Sequence, residues 1–568
     1  MAPGLDVGRV DAHSWAISAR GFNDVFANKL LVLIDGRSVY TPLFSGVYWD
    51  VQDVLLEDIE RIEVIRGPGA SLWGANAVNG VINVITKKAA ATQGFLATGG
   101  GGNEERGFTG FRFGGALGDA LHYRVYGKYF DRADSALPAG GQADDGWSSE
   151  RAGFRVDWEP PGAHRLTLQG DSYEGREDEL IQRLRPASPF VPYLDRDTPT
   201  FSGGNVLGRW TCNFGGGSEL ALQSYYDRTT RSSATLDEQR TTFDVDFQHR
   251  FDWGTRQTIV WGGGYRRTAD KIGSTFDVTL TPAERTDELV SAFLQDEIAL
   301  VKKKLTLTLG SKFEHNDYTG FEFQPSARLA WTPGERQTVW ASVSRAVRTP
   351  SRAEDDIRLR SAPVLPPGAL FAGLPPLVPP SPAVVTAIMG DRDFQSEELT
   401  AYEAGYRVKA GARLTADLAL FYNDYDQLRS ITPSDPALDF TASPAQFNLT
   451  GGNLMTGRTY GGELSVNLQL TDWWRIRADY ALLKMDLRLA GASVPGFDAR
   501  ARPRKAARRI SSRSARGSIC RMASSSTRPC ATWMRSPRCM CPPTSPSICA
   551  SAGVRAGNSK FPWACRIS

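Results

Sequence analysis

The chain holds 568 residues, with 66 basic and 63 acidic side chains and a formal net charge of +3. Mean hydropathy is −0.32, and no run of ~18 apolar residues occurs, which excludes a helical membrane span. The length accommodates several domains or one very large barrel, and 56 glycines with 10% aromatic residues suit a β-rich chain with many turns.

The chain opens Met1-Ala2-Pro3-Gly4-Leu5, with no charged segment leading into an apolar one, so a secretory signal is not visible and the natural start is expected upstream. Leu30-Leu31-Val32-Leu33-Ile34 is a continuous apolar run stopped by Asp35-Gly36. It predicts a buried strand ending in a tight turn, because Gly, and less easily Asp, tolerates φ > 0. Ile62 and Val64 alternate with Arg61 and Glu63 until Arg66-Gly67-Pro68-Gly69 breaks the strand. Asn79-Gly80 is a second turn signal, followed by the strand-like Val81-Ile82-Asn83-Val84-Ile85-Thr86. Residues 1–90 therefore read as a small α+β unit.

From Gly94 to Met485 one pattern repeats: segments of roughly ten residues alternate apolar and polar, separated by Gly, Pro, Asp or Asn, as membrane β-strands do. In Leu121–Phe130, Leu121, Tyr123, Val125 and Tyr129 share one face, while His122, Arg124, Tyr126 and Lys128 share the other. Trp474–Leu482 sets Trp474, Ile476, Ala478, Tyr480 and Leu482 against Arg475, Arg477 and Asp479. A Lys or Arg facing lipid at the midplane would cost ~2–4 kcal/mol, so the charged face must point into a wet or protein-filled lumen. About 17 or 18 such segments are countable. That number, with strongly polar inner faces, favours a large transmembrane antiparallel β-barrel over residues 91–500 rather than a sandwich.

The tail, residues 501–568, differs in kind. From Arg504 to Ser568 there are 13 Lys/Arg and no Asp or Glu, leaving 53 basic and 63 acidic residues in 1–503. Six of the seven cysteines (Cys520, Cys530, Cys539, Cys541, Cys549, Cys565) fall here, against Cys212 alone before it. Zinc sites normally use two spaced pairs, whereas Cys539-Met540-Cys541 is the single close pair and the tail has no His. A frame-shifted stretch, rather than native barrel sequence or a nucleic-acid-binding appendage, is the expectation for this tail. No metal site, cofactor or nucleic-acid partner is expected.

Residues 30–88 closely resemble the plug of TonB-dependent outer-membrane receptors, through VLIDGRSVY (with Asp35, Gly36 and Arg37), IERIEVIRGPGASLWGANAVNG (with Gly67, Pro68, Gly74, Asn79 and Gly80) and VINVITKK. PSARLAWTPGERQTVWASVSRAVRTPS (325–351), ELTAYEAGYRVKAGARLTADLALFYNDYDQL (398–428) and TYGGELSVNLQLTDWWRIRADYALL (459–483) resemble the family's barrel. The resemblance implies a monomeric 22-stranded barrel in the outer-membrane bilayer with the plug inside it. It also implies uptake of a scarce, bulky nutrient, a ferric siderophore first and cobalamin as the alternative, with energy passed through TonB. Family members carry an extended segment that pairs with a strand of TonB; that segment is not visible here, nor is the aromatic residue on which their last strand ends. A non-functional remnant of such a receptor is a further alternative. A passive channel is opposed by the plug-like stretch, and a hydrolase by the lack of a Ser-His pairing in suitable context.

In the family the RGP arginine meets two barrel glutamates, which by match are Arg66 with Glu403 (in Tyr402-Glu403-Ala404-Gly405) and Glu463 (in Gly461-Gly462-Glu463-Leu464). A guanidinium suits such a bridge in a partly buried site, where it supplies registry more than net stability. Ligands bind at plug apices and long outer loops in this family. The candidate stretches are Ser45–Trp49, Arg66–Asn76 and the loops near 133–148, 175–200 and 350–395. Tyr48, Trp49 and Trp73 are the aromatic candidates for the ligand apex. The last loop holds eight prolines between Pro363 and Pro382. All five His (His13, His122, His164, His249, His315) precede residue 316, which disfavours haem, since haem receptors of the family tend to carry a His just before the 400 region.

Overall fold

The computed structural model describes residues 3–490 apart from 187–189, 191, 366–383 and 443. The Arg/Ser/Cys/Pro-rich tail and most of the proline-rich stretch lie outside the described residues.

The N-terminal unit begins with a hairpin of β1 (Leu5–Arg9) and β2 (Trp15–Ala19). A four-stranded sheet follows, made of β3 (Leu30–Ile34), β4 (Arg37–Ser38), β7 (Ile59–Arg66) and β8 (Gly80–Thr86), in the order β4-β3-β8-β7. The short pair β5 (Tyr40–Thr41) and β6 (Gly46–Val47) lies between β4 and β7 in the chain. The apolar run in β3 is explained by burial on both faces. Leu30 and Val32 pack with Ala19, Val39 and Ile82, while Leu31 and Leu33 pack with Ala77 and Val81. Asp35 and Gly36 take φ of 51° and 85° to turn the chain into β4. Helical content is slight: the one-turn helix α1 (Ala70–Trp73) and two 3₁₀ turns.

Seventeen long strands, from Gly94–Gly100 to Trp474–Leu489, form the wall around this unit in a barrel order. Each pairs antiparallel with the next in sequence. One end carries tight turns such as 118–120, 216–217 and 335–336; the other carries 133–146, 178–199 and 349–396. Short strands Val278–Leu280, Ile357–Leu365 and Val384–Met389 extend the sheet above that loop-bearing rim. An odd number of alternating strands leaves the first and last running the same way. The strand order nevertheless closes, with Trp474–Leu489 beside Gly94–Gly100, a seam whose strands run the same way.

The alternation places charge inside and apolar groups outside. Val125 and Tyr129 are exposed, whereas Arg124 is buried and Lys128 reaches Asp53 of the plug at 2.6 Å. Val290 and Leu294 face outward in Glu284–Val301 while Phe293 turns in. No described helix is long and apolar enough to cross a membrane.

Candidate functional site

Charged groups on the plug meet charged groups on the inner wall at several places. The most buried junction is built on Arg20, just after β2. Its guanidinium donates to Glu403 at 2.6 Å and Glu463 at 3.2 Å, and lies 4.3 Å from the Phe421 ring centre. Burial works against the Arg20 charge, but the Glu403 and Glu463 carboxylates more than offset it and hold the group above its ordinary value. Arg66 sits beside this junction. Its Nη1 approaches Glu463 Oε2 at 2.6 Å without hydrogen-bond alignment, and donates to the Pro3 carbonyl at 3.3 Å.

The expected bridge is thereby corrected: the arginine spanning both glutamates is Arg20, and Arg66 reaches Glu463 alone. The reason is steric. Gly67 turns at φ 83°, and a Cβ there would lie 2.4 Å from Glu403 Oε1 and 2.8 Å from Arg20 Nη1, so the Arg20–Glu403 pair already fills the space beside the Arg-Gly-Pro turn.

The other plug-motif residues serve the same seam. Asp35 accepts from the Thr86 backbone N–H (2.8 Å), Thr86 Oγ1 (2.7 Å) and wall residue Gln169 (2.9 Å). Wall residue Arg209 donates to the Asp35 carbonyl beside Gly36, and Arg37 pairs with Asp227, both at 2.6 Å. Asn79 donates to the Ala19 carbonyl at 3.1 Å and accepts from wall residue Tyr425 at 2.7 Å. Gly80 packs its α-carbon against the Ile65 carbonyl, and Gly74 abuts Glu314, which accepts from Ala75 N–H at 2.7 Å. Pro68 lies two residues beyond Arg66, the last residue of β7.

A second buried junction, not foreseen from sequence, joins Lys29 to Glu397. Arg348, fully buried, links Glu397 (2.8 Å) to Glu354 (2.6 Å). Burial pulls the Lys29 ammonium below its ordinary value; Glu397 opposes this while Arg348 and Arg429 add to it. Nearby, helix α2 (Arg352–Asp356) docks on the plug through Arg352 N–H to Pro42 O and Ala353 N–H to Leu43 O, both 2.9 Å. The outer 349–396 loop is thus fastened to the plug through backbone.

At least two cavities separate plug and wall among the described residues. The larger, about 480 Å³, runs along one side from Thr349 and Pro350 at the loop-bearing rim down between Arg37, Tyr40 and Trp73 of the plug and Arg209, Asp244 and Lys312 of the wall. The smaller, about 290 Å³, lies toward the loop-bearing rim between Trp15, Phe26, Phe44, Tyr48 and Trp49 and the rim residues Glu177, Glu179, Pro199 and Leu236. Of the three apical aromatics, Tyr48 lines both cavities and Trp49 the rim pocket. Trp73 does not reach that pocket; it lines the larger cavity and packs against the Leu31–Val81 face.

Family comparisons agree with this architecture along the chain. The model for "TonB-dependent Receptor Plug Domain" matches residues 1–81, and that for "TonB dependent receptor-like, beta-barrel" matches residues 90–511. The chain belongs to the TonB-dependent outer-membrane receptors. It is 26% identical over 494 residues to an iron-regulated outer membrane virulence protein of Vibrio cholerae, covering 82% of this chain and 68% of that one. It is 25% identical over 392 residues to the ferric enterobactin receptor of Pseudomonas aeruginosa (56% and 51% covered), and 36% identical over 104 residues to the vitamin B12 transporter BtuB of Vibrio vulnificus (18% and 16%). The siderophore receptors PirA of Pseudomonas aeruginosa (TM-score 0.62, 18% identity, 86% and 84% covered) and Acinetobacter baumannii (0.66, 18%, 85% and 76%) share its fold. As a TonB-dependent receptor it resides in the outer membrane and is not an enzyme.

Proposed function

We propose that this receptor imports a ferric siderophore, that the rim pocket is where the ligand first binds, and that Arg20, Arg66, Glu403 and Glu463 tie the plug to the wall. The observation that carries the reading is the rim pocket itself. It is a cavity open between plug aromatics and outer loops, directly above a plug held by polar contacts. Ion pairs and hydrogen bonds, unlike a continuous apolar interface, can be exchanged for water as the plug moves, which suits a cork that must both seal and yield. Energy input comes from TonB, and a single barrel is the working unit. Cobalamin is the second reading, supported by the local similarity to BtuB. Uptake of iron-55-labelled ferric chelates and of labelled cobalamin, with and without the gene and under iron or cobalamin limitation, separates the two. Gene-dependent accumulation of cobalamin alone would overturn the siderophore assignment.

A further inference from the structure

We infer that the rim pocket selects a ligand carrying a positively charged nitrogen beside an aromatic or apolar body. This rests on the proposed role of that pocket as the ligand site and adds a charge class to it.

Four carboxylates, Asp50, Glu177, Glu179 and Glu238, border the pocket, and its permanent cation among the described residues is Arg231. That cation is already committed. Arg231 donates to Asp50 and to Glu177 Oε1 (2.7 Å), with its guanidinium 4.4 Å from the Tyr48 ring centre. Glu238 is likewise engaged, by Arg240 at 3.3 Å and the Tyr48 hydroxyl at 3.2 Å. Two acceptors are left over. Glu177 is 5% exposed, yet its Oε2 has no hydrogen-bond partner; His13 Nδ1 stands 3.3 Å away. Glu179, at the start of the hairpin Glu179–Leu184, makes no ion pair among the described residues. Burial pushes its carboxyl above the ordinary range and Asp197 adds to this, while His13 and Arg231 oppose it.

A buried acceptor without a donor is costly; a neutral ligand N–H relieves that cost, a charged N–H⁺ does so about twice as strongly and also offsets the surrounding carboxylates, and an anion does neither. Opposite these acids stand the aromatic rings. Phe26, 52% exposed, meets Phe44 edge-on at 5.1 Å, and Phe44 meets Tyr48 at 4.9 Å. Ring faces attract cations and accept planar or apolar bodies. A trianionic ferric tris-catecholate entering here would meet surplus carboxylate and no free guanidinium.

The test uses the full chain in detergent, with binding followed by tryptophan fluorescence. The probes are a ferric trishydroxamate bearing a terminal primary ammonium, the same chelate N-acetylated, and a ferric tris-catecholate. Preference for the ammonium form by about tenfold or more is expected, as for hydrogen bonds to a charged group, and E177Q/E179Q should abolish it. Glu177 also holds Arg231, so E179Q alone is the variant that spares this pair, and it should reduce the preference several-fold. Equal binding of the acetylated twin, tighter binding of the catecholate, or a preference unchanged in E179Q overturns the inference. If no ferric chelate binds, the siderophore reading fails separately. Naphthylethylammonium against naphthylacetate then reads the pocket's charge, with preference for the amine supporting the inference and parity ending it.

Discussion

Replacing Arg20 with Met keeps most of the aliphatic stem and removes the charge. The Arg20 side chain is 2% exposed and the Glu403 side chain 10%, so the substitution strands the Glu403 carboxylate where water scarcely reaches. Glu463 keeps Arg66, but among the described residues Glu403 keeps only Ser342 Oγ at 3.4 Å. Removing one partner of a buried pair costs ~3–5 kcal/mol, mostly as the penalty on the charge left behind. Arg66→Met should cost far less, about 1 kcal/mol, because Arg66 is 24% exposed and Arg20 still neutralises Glu463. The assay is hydrogen exchange at the β3 and β8 amides against urea in the detergent-solubilised chain, which reports plug loosening separately from barrel unfolding. Restoring E403Q and E463Q in the R20M background should recover much of the loss, since no unpaired carboxylate then remains. If R66M loosens the plug as much as R20M, or the triple variant is no better than R20M, the assignment of Arg20 as the principal tie is wrong.

Asp35→Ala removes the acceptor of three hydrogen bonds joining β3, β8 and Gln169. It should cost ~2–3 kcal/mol and speed exchange at Thr86 selectively, as read in the same experiment. Leu294→Arg places a cation on an outward position that is 54% exposed, and should destabilise the barrel by ~2–4 kcal/mol if that position lies near the midplane, as seen in refolding into vesicles. Asp355 on α2 is raised to about 6, chiefly by burial, with Arg285 at 3.1 Å opposing and Asp356 and Asp287 adding. The folded state therefore holds this proton more tightly than the unfolded chain. The contribution to α2 docking is full below the ordinary carboxyl range and is lost as pH rises through about 6. Exchange at residues 352–356 should be faster at pH 7.5 than at pH 4.5 after correction for intrinsic rates, and D355N should flatten the difference.

That the N-terminal unit sits inside the barrel was implied by the family resemblance, whereas the strand alternation read as a large barrel and the Leu30–Ile34 run as a buried strand. Both follow from local physics: a lipid-facing strand cannot carry charge on its outer face, and a strand buried on both faces must be apolar throughout. The Asp35-Gly36 turn was legible for the same reason, since few residues accept its backbone angles. Which charges meet across the lumen was not legible. Arg20 lies 383 residues from Glu403, and Lys29 lies 368 from Glu397. Their pairing depends on how the plug is rotated inside the wall, a property of tertiary packing that no local pattern encodes. The same holds for the rim pocket, where Tyr48 and Trp49 join acids from two outer loops while Trp73 turns to the larger cavity. Sequence alone determined what kind of machine this is; only the packed structure decided which arginine spans Glu403 and Glu463 and which charges line the rim pocket.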